Sequence, residues 1–177
     1  MAISDKKVAF LLTRGVEQVE LTSPRGALDE AGATTVIVSP SEGTLQAMNG
    51  DWEHADEFTV DVPVSQAKVE DFDALVLPGG TLNADALRLN EDAVALVKAF
   101  FAAEKPVAAI CHAPWILAES GVAKGRKLTS FVSTKTDLVN AGASWEDSEV
   151  VVDGNLITSR NPGDLKAFNS AIANALG

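Results

Sequence analysis

Short apolar runs alternate along this chain with segments of helical periodicity, and this alternation restricts the fold more than any other feature of the sequence. The runs cover residues 8–13, 34–39 and 74–77, and another begins at Pro106. They lack a polar residue at every second position, which is typical of strands buried on both faces. The sequence therefore predicts an α/β fold: a mostly parallel, doubly wound sheet with helices on both faces.

The helical segments are predicted from their caps and stop signals. They cover residues 16–31, a stretch capped by Asn90 that runs to about 104, residues 113–120, residues from about 135 to 141, and a last helix that opens at Asn161-Pro162. Shorter extended pieces between 42 and 64, around Asn49-Gly50-Asp51, predict a hairpin appended to the main sheet, and a second hairpin is expected to turn at Asp153-Gly154. Neither repeats nor a linker composition interrupt the chain, so a single domain over residues 1–177 is expected.

Composition excludes several classes of protein. The 25 acidic and 14 basic side chains give a net charge of -11, which would repel nucleic-acid phosphates and favours solubility. The most apolar region, residues 93–110, is interrupted by charges and Pro106, so no membrane span is expected. The single cysteine cannot form an internal disulfide, and residues 1–7 lack the apolar stretch of a secretory signal. A reducing cytoplasm is the predicted compartment.

That single cysteine, Cys111, is the candidate nucleophile. It follows an apolar strand pattern and precedes a helical one. A sharp strand-to-helix turn would push its side chain out of the sheet edge, above the positive end of the next helix, which favours the thiolate. The alternative is a buried cysteine that only packs.

Polar and glycine residues are expected to meet Cys111, because the carboxyl ends of parallel strands share one edge of the sheet. The first strand delivers Glu17, which we expect near the sulfur, holding a proton and donating a hydrogen bond to the thiolate. Alternatively, Glu17 is an acid that the helix dipole favours in a first turn. The backbone N–H groups of Gly79, Gly80 and His112 are expected to form an oxyanion hole, and the alternative for the glycine pair is a plain tight turn.

Two histidines are present, His54 and His112. No histidine follows residue 112, which excludes a catalytic pair with a downstream histidine. His54 lies in the hairpin region and is expected at the surface. His112 is therefore the candidate base, although a histidine that fills space at the helix start is an alternative. Two separated histidines and one cysteine do not form a recognisable ligand cluster, so neither a metal site nor a cofactor is predicted.

Four segments, in this order along the chain, resemble the ThiJ/PfpI family. They are VEQVEL at 16–21, LVLPGG at 75–80, AICHAP at 109–114, and residues 147–153 with TSR at 158–160. The resemblance covers about residues 8–176 and is closest to the PfpI branch, whose members are described as intracellular cysteine proteases and as deglycases or general stress proteins.

The resemblance implies a flavodoxin-like sandwich in which Cys111 is the nucleophile, His112 lies beside it and Glu17 is hydrogen-bonded to the sulfur. In oligomeric members of the branch an acidic residue of an adjoining subunit completes a Cys-His-acid triad, and the matching position here is Asp85. A homo-oligomer, a dimer or larger, is therefore expected. Two departures stand out: Ala113 replaces the usual glycine, where backbone clearance is tight, and Phe131 replaces a frequent tyrosine.

The leading hypothesis is a cysteine hydrolase of the stress response. Cys111 would attack a carbonyl-derived carbon of glycated amino groups or of peptides while His112 shuttles protons. The alternative is a redox sensor or protective chaperone in which Cys111 is oxidised and little or no turnover occurs.

Overall fold

The computed structural model describes residues 3–177, so residues 1 and 2 of the expected domain lie outside the described part. Its strands are β1 (Lys7–Leu11), β2 (Thr34–Ser39), β3 (Thr44–Asn49), β4 (Glu53–Thr59), β5 (Val62–Pro63), β6 (Ala74–Leu77), β7 (Val107–Ile110), β8 (Lys127–Leu128), β9 (Ser144–Trp145), β10 (Val150–Asp153) and β11 (Leu156–Ser159). Its α-helices are α1 (Gln18–Glu30), α2 (Thr81–Arg88), α3 (Glu91–Ala102), α4 (Trp115–Glu119), α5 (Lys135–Asn140) and α6 (Leu165–Leu176).

The main sheet has seven strands in the order β10-β11-β7-β6-β1-β2-β5. Every neighbouring pair in it is parallel except β10 and β11, which form an antiparallel hairpin at one edge. Val8 of β1 lies opposite Thr35 of β2 on one side and Ala74 of β6 on the other. Because the chain passes from β1 to β2 in one direction and returns to β6 on the other side, β1 and β6 flank the topological switch point where such sheets bind ligands.

Alternating residues of β1 divide the apolar core between the two faces of the sheet. Val8 and Phe10 pack in one cluster with the apolar side chains of α1 and α6. Ala9 and Leu11 pack in a second cluster with those of α2, α3, α4 and α5. The strand is therefore buried on both sides, as its uninterrupted apolar sequence requires. The predicted doubly wound α/β fold is confirmed.

The predicted element boundaries agree closely with the structure in the central strands, since β2 and β6 have the predicted limits. Asn90 caps α3 by accepting a hydrogen bond from Ala93 N at 2.9 Å. Helix α2 was not predicted. The hairpin of β3 and β4 forms a separate two-stranded sheet rather than an extension of the main one, and a single bridge between Glu17 and Met48 joins it to the segment after β1.

Candidate active site

Cys111 lies directly after β7 with a backbone φ of 65°. This left-handed conformation is costly for a residue with a Cβ, and it turns the side chain away from the strand direction. Backbone hydrogen bonds fix the turn from both sides: Cys111 N donates to Ser159 O of β11 at 3.1 Å, and Cys111 O accepts from Phe131 N at 2.8 Å. The predicted strand-to-helix elbow is therefore present, and neighbouring segments hold it in place.

His112 turns its ring back toward the sulfur, with His112 Nδ1 3.1 Å from Cys111 Sγ. The ring is buried between two aromatic side chains. Phe131 stacks on it at a centroid distance of 4.6 Å, and Trp115 meets it edge-on at 5.4 Å. Burial lowers the pKa of His112, while the charge of Asp51 acts in the opposite direction. The imidazole is therefore neutral at pH 7 and can accept a proton from the thiol.

Glu20, rather than Glu17, lies against the sulfur. The Glu20 side chain is fully buried and within hydrogen-bonding reach of Cys111, and its Oε2 accepts from Gly79 N at 2.9 Å. Glu17 Oε2 instead accepts from Gly50 N at 2.9 Å, at the turn of the β3–β4 hairpin. The prediction that Glu17 contacts the sulfur is wrong because Glu17 precedes α1 in an extended conformation, whereas Glu20 is one turn further along the inward face.

The sequence carried a signal for Glu20. Together with Leu21, Pro24 and Leu28, it lies on the buried face of α1. A carboxyl group on an otherwise apolar helical face is unusual, because burying a charge is costly. Helical periodicity alone could therefore have identified Glu20 as the inward-facing acid of this segment.

Burial raises the pKa of Glu20 to about 8. Glu20 therefore holds its proton at neutral pH and can donate it in a hydrogen bond to the sulfur. Glu20 Oε1 is buried and has no hydrogen-bond partner among the described residues, so this end of the carboxyl group is free to bond to a group that enters the pocket.

Burial also raises the pKa of the Cys111 thiol, and a charged Glu20 would raise it further. The backbone N–H groups of Gly80 and His112 act in the opposite direction. Burial therefore opposes the resting thiolate that the elbow and the helix dipole were expected to favour. Helix α4 has only five residues and starts at Trp115, and the N–H groups of Ala113 and Trp115 are bonded within the turn.

The loop after β6 brings glycine backbone within reach of the thiol. A Cβ added to Gly79 would lie 2.6 Å from Cys111 Cβ and 2.8 Å from Ile110 O, so no larger residue fits there. Gly79 N is occupied by Glu20, which makes the prediction of a free Gly79 N–H wrong. Gly80 N–H and His112 N–H point toward the sulfur and remain the candidate oxyanion donors.

Three further polar residues, none of them predicted, surround the far side of the imidazole. His112 Nε2 lies 3.1 Å from Ser133 Oγ and 3.4 Å from Thr81 Oγ1. Thr81 in turn donates two hydrogen bonds to Asp51, from its hydroxyl at 2.7 Å and from its backbone N at 2.9 Å. A hydroxyl and a carboxylate from different segments carry no local sequence pattern, so only the fold reveals this chain of contacts.

Asp85 and His54 lie away from these contacts. Asp85 is exposed on α2 and does not line the pocket around Cys111, so its predicted role across a subunit interface stays a prediction. His54 is exposed on β4, as expected for the hairpin. Ala113 is accommodated, since its methyl group is buried in the apolar cluster that α4 shares with α2 and α3.

A pocket of about 300 Å³ opens above the thiol. It is bordered by residues that follow β1, β6, β7 and β11, by the hairpin turn, and by Phe131. The lining residues are Glu17, Glu20, Gly50, Asp51, Gly80, Cys111, His112, Phe131 and Pro162. The sulfur, although its residue is only 7% exposed, therefore faces a space large enough for a small carbonyl compound or one side chain of a larger substrate.

No cluster of His, Cys, Asp or Glu side chains suited to holding a metal ion occurs within residues 3–177. None of the helices in that part of the chain combines the length and apolar character needed to cross a bilayer.

Comparisons with known proteins identify relatives that match most of the chain. The chain is 45% identical over 162 residues, 92% of its length and 94% of the relative's, to Deglycase PH1704 of Pyrococcus horikoshii. It is 41% identical over 171 residues, 97% of its length and 98% of the relative's, to Putative cysteine protease YraA of Bacillus subtilis.

A solved structure shows the same fold. A two-domain protein of Anabaena variabilis, with dj-1/thij/pfpi-like and ferritin-like domains, superposes with a TM-score of 0.91 at 37% identity. The match covers 97% of this chain and 48% of that one, so this chain spans about half of the two-domain protein. The sequence profile of the DJ-1/PfpI family matches residues 6–175. This chain belongs to the DJ-1/PfpI family.

Proposed function

We propose that this protein is a cysteine hydrolase of the stress response that acts on glycated amino groups of proteins or on peptides. The observation that carries the proposal is the contact between Cys111 Sγ and His112 Nδ1 at 3.1 Å, in a pocket that also holds the raised-pKa carboxyl of Glu20. The relatives named deglycase and putative cysteine protease support the same reaction classes.

In the proposed first step, Cys111 attacks a carbonyl-derived carbon of the substrate. A bond forms between that carbon and Sγ, and the thiol proton passes to His112 Nδ1 as attack proceeds, so that no resting thiolate is needed. When the carbon is a carbonyl, its oxygen becomes an oxyanion within reach of Gly80 N–H and His112 N–H.

The next step releases an amine. The bond between the carbon and the substrate nitrogen breaks, and His112 returns its proton to the leaving nitrogen. A peptide leaves an acyl group on Cys111, which water removes as a carboxylic acid. The carbon of a glycation carbinolamine is already tetrahedral, so in this case the bond to nitrogen breaks as the bond to Sγ forms. The carbonyl compound is left on Cys111 as a hemithioacetal, and its breakdown releases the carbonyl compound and regenerates the thiol.

A second candidate function is supported by the position of Glu20. Two equivalents of peroxide would convert the Cys111 thiol to a sulfinate with release of two waters. Protonated Glu20, whose Oε1 is otherwise unpartnered, would donate a hydrogen bond to a sulfinate oxygen. The protein would then be a redox-sensing stress protein or chaperone with little or no turnover.

We also propose that the protein works as a homo-oligomer in the reducing cytoplasm, where a lone thiol stays free. Support comes from large apolar side chains left exposed on and beside α2, with Leu82 at 55% and Leu89 at 76%. They flank Asp85, the residue expected to face an adjoining subunit.

Clearance of methylglyoxal adducts and cleavage of peptides by wild type and Cys111→Ser test the function. We expect the variant to lose at least about a hundredfold in rate, because a serine hydroxyl is a far weaker nucleophile beside a neutral imidazole. Assays in which the enzyme concentration is far below the adduct concentration distinguish catalytic turnover from stoichiometric scavenging of free aldehyde.

The two histidines provide a matched control. His112→Gln should lose activity, whereas His54→Gln, at an exposed position on the hairpin, should retain it. If Cys111→Ser clears adducts and peptides as fast as wild type, the hydrolase proposal is wrong. If the protein shows no turnover and treatment with peroxide induces binding to a partner, the redox function is the correct one.

A further inference from the structure

We infer that Asp51 is a positioning residue for His112, acting through the hydroxyl of Thr81 within a single chain. The inference rests on the proposed function, because it concerns how the imidazole is kept ready to take the thiol proton. It assigns to the β3–β4 hairpin the orienting acid that the family resemblance would place on a second subunit.

The directions of the hydrogen bonds carry the argument. Asp51 accepts both from Thr81 N at 2.9 Å and from Thr81 Oγ1 at 2.7 Å. The single hydroxyl proton of Thr81 is therefore committed to the carboxylate, and only oxygen lone pairs face His112 Nε2, 3.4 Å away. A bond between these two atoms requires that Nε2 carry the proton.

This arrangement selects one tautomer of the neutral imidazole. With the proton on Nε2, the lone pair of Nδ1 faces Cys111 Sγ at 3.1 Å, as a base requires. When the imidazole takes the thiol proton it becomes a cation, which the negative charge of Asp51 stabilises across the threonine hydroxyl. Asp51 thus favours both the correct tautomer before proton transfer and the charged ring after it.

The conformation of Asp51 supports a specific role for its side chain. Its backbone φ of 66° lies in the left-handed region, which aspartate tolerates better than most residues but which still involves strain. Cys111 has the same conformation and borders the same pocket. Glu17 holds the turn next to Asp51 by accepting a hydrogen bond from Gly50 N. The acid predicted to touch the sulfur therefore secures the segment that carries Asp51.

A competing acceptor for Nε2 is Ser133, whose Oγ is closer, at 3.1 Å. Ser133 is exposed, and no carboxylate hydrogen-bonds to it in the described structure, so it can donate to Nε2 as readily as it accepts. The other titratable groups that line the pocket with His112 and Asp51 are Cys111, Glu17 and Glu20, and none of them hydrogen-bonds to Thr81 or Ser133 in the described structure. Only Asp51 is connected to the Nε2 side through a hydroxyl with a fixed donor direction.

Nitrogen NMR of the imidazole rings tests the inference without any substrate. Since the chain has two histidines, His54 serves as an exposed internal reference. We expect wild-type His112 to be the Nε2–H tautomer, and Asp51→Asn to shift a substantial fraction to the Nδ1–H form. Asparagine can still accept from Thr81 N, so the start of α2 keeps its cap. Glu53→Gln, two residues away and exposed, removes the same charge and should leave the tautomer unchanged.

The rate of Cys111 alkylation by iodoacetamide, measured against pH, gives a second readout. Asp51→Asn should lower the plateau rate about 10-fold to 100-fold, the range expected for a lost hydrogen bond to a charged group. It should also move the acidic limb to lower pH, because the His112 cation loses its stabilising charge. Thr81→Val should have the same effects. Thr81→Ser keeps the hydroxyl and should retain the plateau rate and the acidic limb of the wild type.

Three results would overturn the inference: an unchanged tautomer and pH profile in Asp51→Asn, the same changes in Ser133→Ala instead, or the same changes in Asp85→Asn instead. The last would place the orienting acid on a partner subunit. Both readouts follow Cys111 and His112 directly, so they remain informative if the protein proves to have no hydrolase turnover. Loss of turnover alone, with the expected NMR and alkylation results, would contradict only the proposed function.

Discussion

At the scale of single residues, the site contains two neighbouring weak acids, the Glu20 carboxyl and the Cys111 thiol. Both have a pKa above that of the same group in an exposed position. Burial raises the pKa of the Glu20 carboxyl to about 8, and burial raises the pKa of the Cys111 thiol as well. With both groups neutral at pH 7, no like-charge repulsion arises inside the pocket. In the proposed mechanism, the thiol proton passes to His112 as the sulfur attacks, so the buried pair stays uncharged until a substrate is present.

Glu20→Gln tests the protonation state of this carboxyl through stability. The folded protein holds a proton on Glu20 that the unfolded chain, with an ordinary pKa of 4.5, has already lost. The stability from this group is therefore full below about pH 4.5 and is lost as pH rises through 8. Glutamine mimics the protonated form, so Glu20→Gln should gain stability relative to wild type as pH rises, by at most about 1.4 kcal/mol per pH unit.

Thermal and urea unfolding at pH 5.5, 7.0 and 8.5 measure this difference. Glu30→Gln, at an exposed position of α1, is the matched control and should follow wild type at every pH. A constant difference between wild type and Glu20→Gln across this range would show that Glu20 is ionised in the folded protein.

At the scale of elements, α2 positions the loop after β6, residues 78–80, which borders the thiol. Asn83, buried in its first turn, donates from Nδ2 to Pro78 O and Gly79 O, each at 2.9 Å, and accepts from Thr13 N at 2.7 Å. One side chain therefore ties the end of β1 to the loop after β6. Buried backbone groups need such partners, and here a helix that follows the loop supplies them.

Asn83→Ala should destabilise the protein by about 1–3 kcal/mol, the cost of leaving buried polar groups unpaired. It should also change the rate of Cys111 alkylation, because Gly80 N–H loses its fixed position. Asn90→Ala removes the N-cap of α3, which does not line the pocket, and should cost about 1 kcal/mol with no change in alkylation. If Cys111 is alkylated as fast in Asn83→Ala as in Asn90→Ala, the loop needs no support from Asn83.

The elements show which parts of the site a sequence can predict. The elbow at Cys111 was predictable because an apolar strand, a thiol and a helical pattern follow one another directly. Assigning Glu17 instead of Glu20 to the sulfur failed because the helix starts two residues later than its apolar pattern, which changes the acid that faces inward. The contact of Asp51 with Thr81 joins residues 30 positions apart through a hairpin outside the main sheet, so no local pattern encodes it.

At the scale of the whole molecule, the site lies where the strand order of the sheet reverses, between β1 and β6 and beside β7. Parallel strands direct their carboxyl ends to one edge, so Glu20, Gly80 and Cys111 meet although they are distant in sequence. The hairpin closes one side of this edge with Asp51. The fold thus supplies the nucleophile, base, protonated acid and orienting carboxylate of the proposed site from one chain.

Mass spectrometry of the protein quenched in acid during turnover tests the central claim most directly, namely that Cys111 is the nucleophile. The chain has one thiol, so the assignment of an adduct to sulfur is unambiguous. We predict one substrate-derived mass on the peptide that contains Cys111, formed at least as fast as product. Turnover during which Cys111 stays unmodified at every time point, or an adduct on a different residue, would contradict the account.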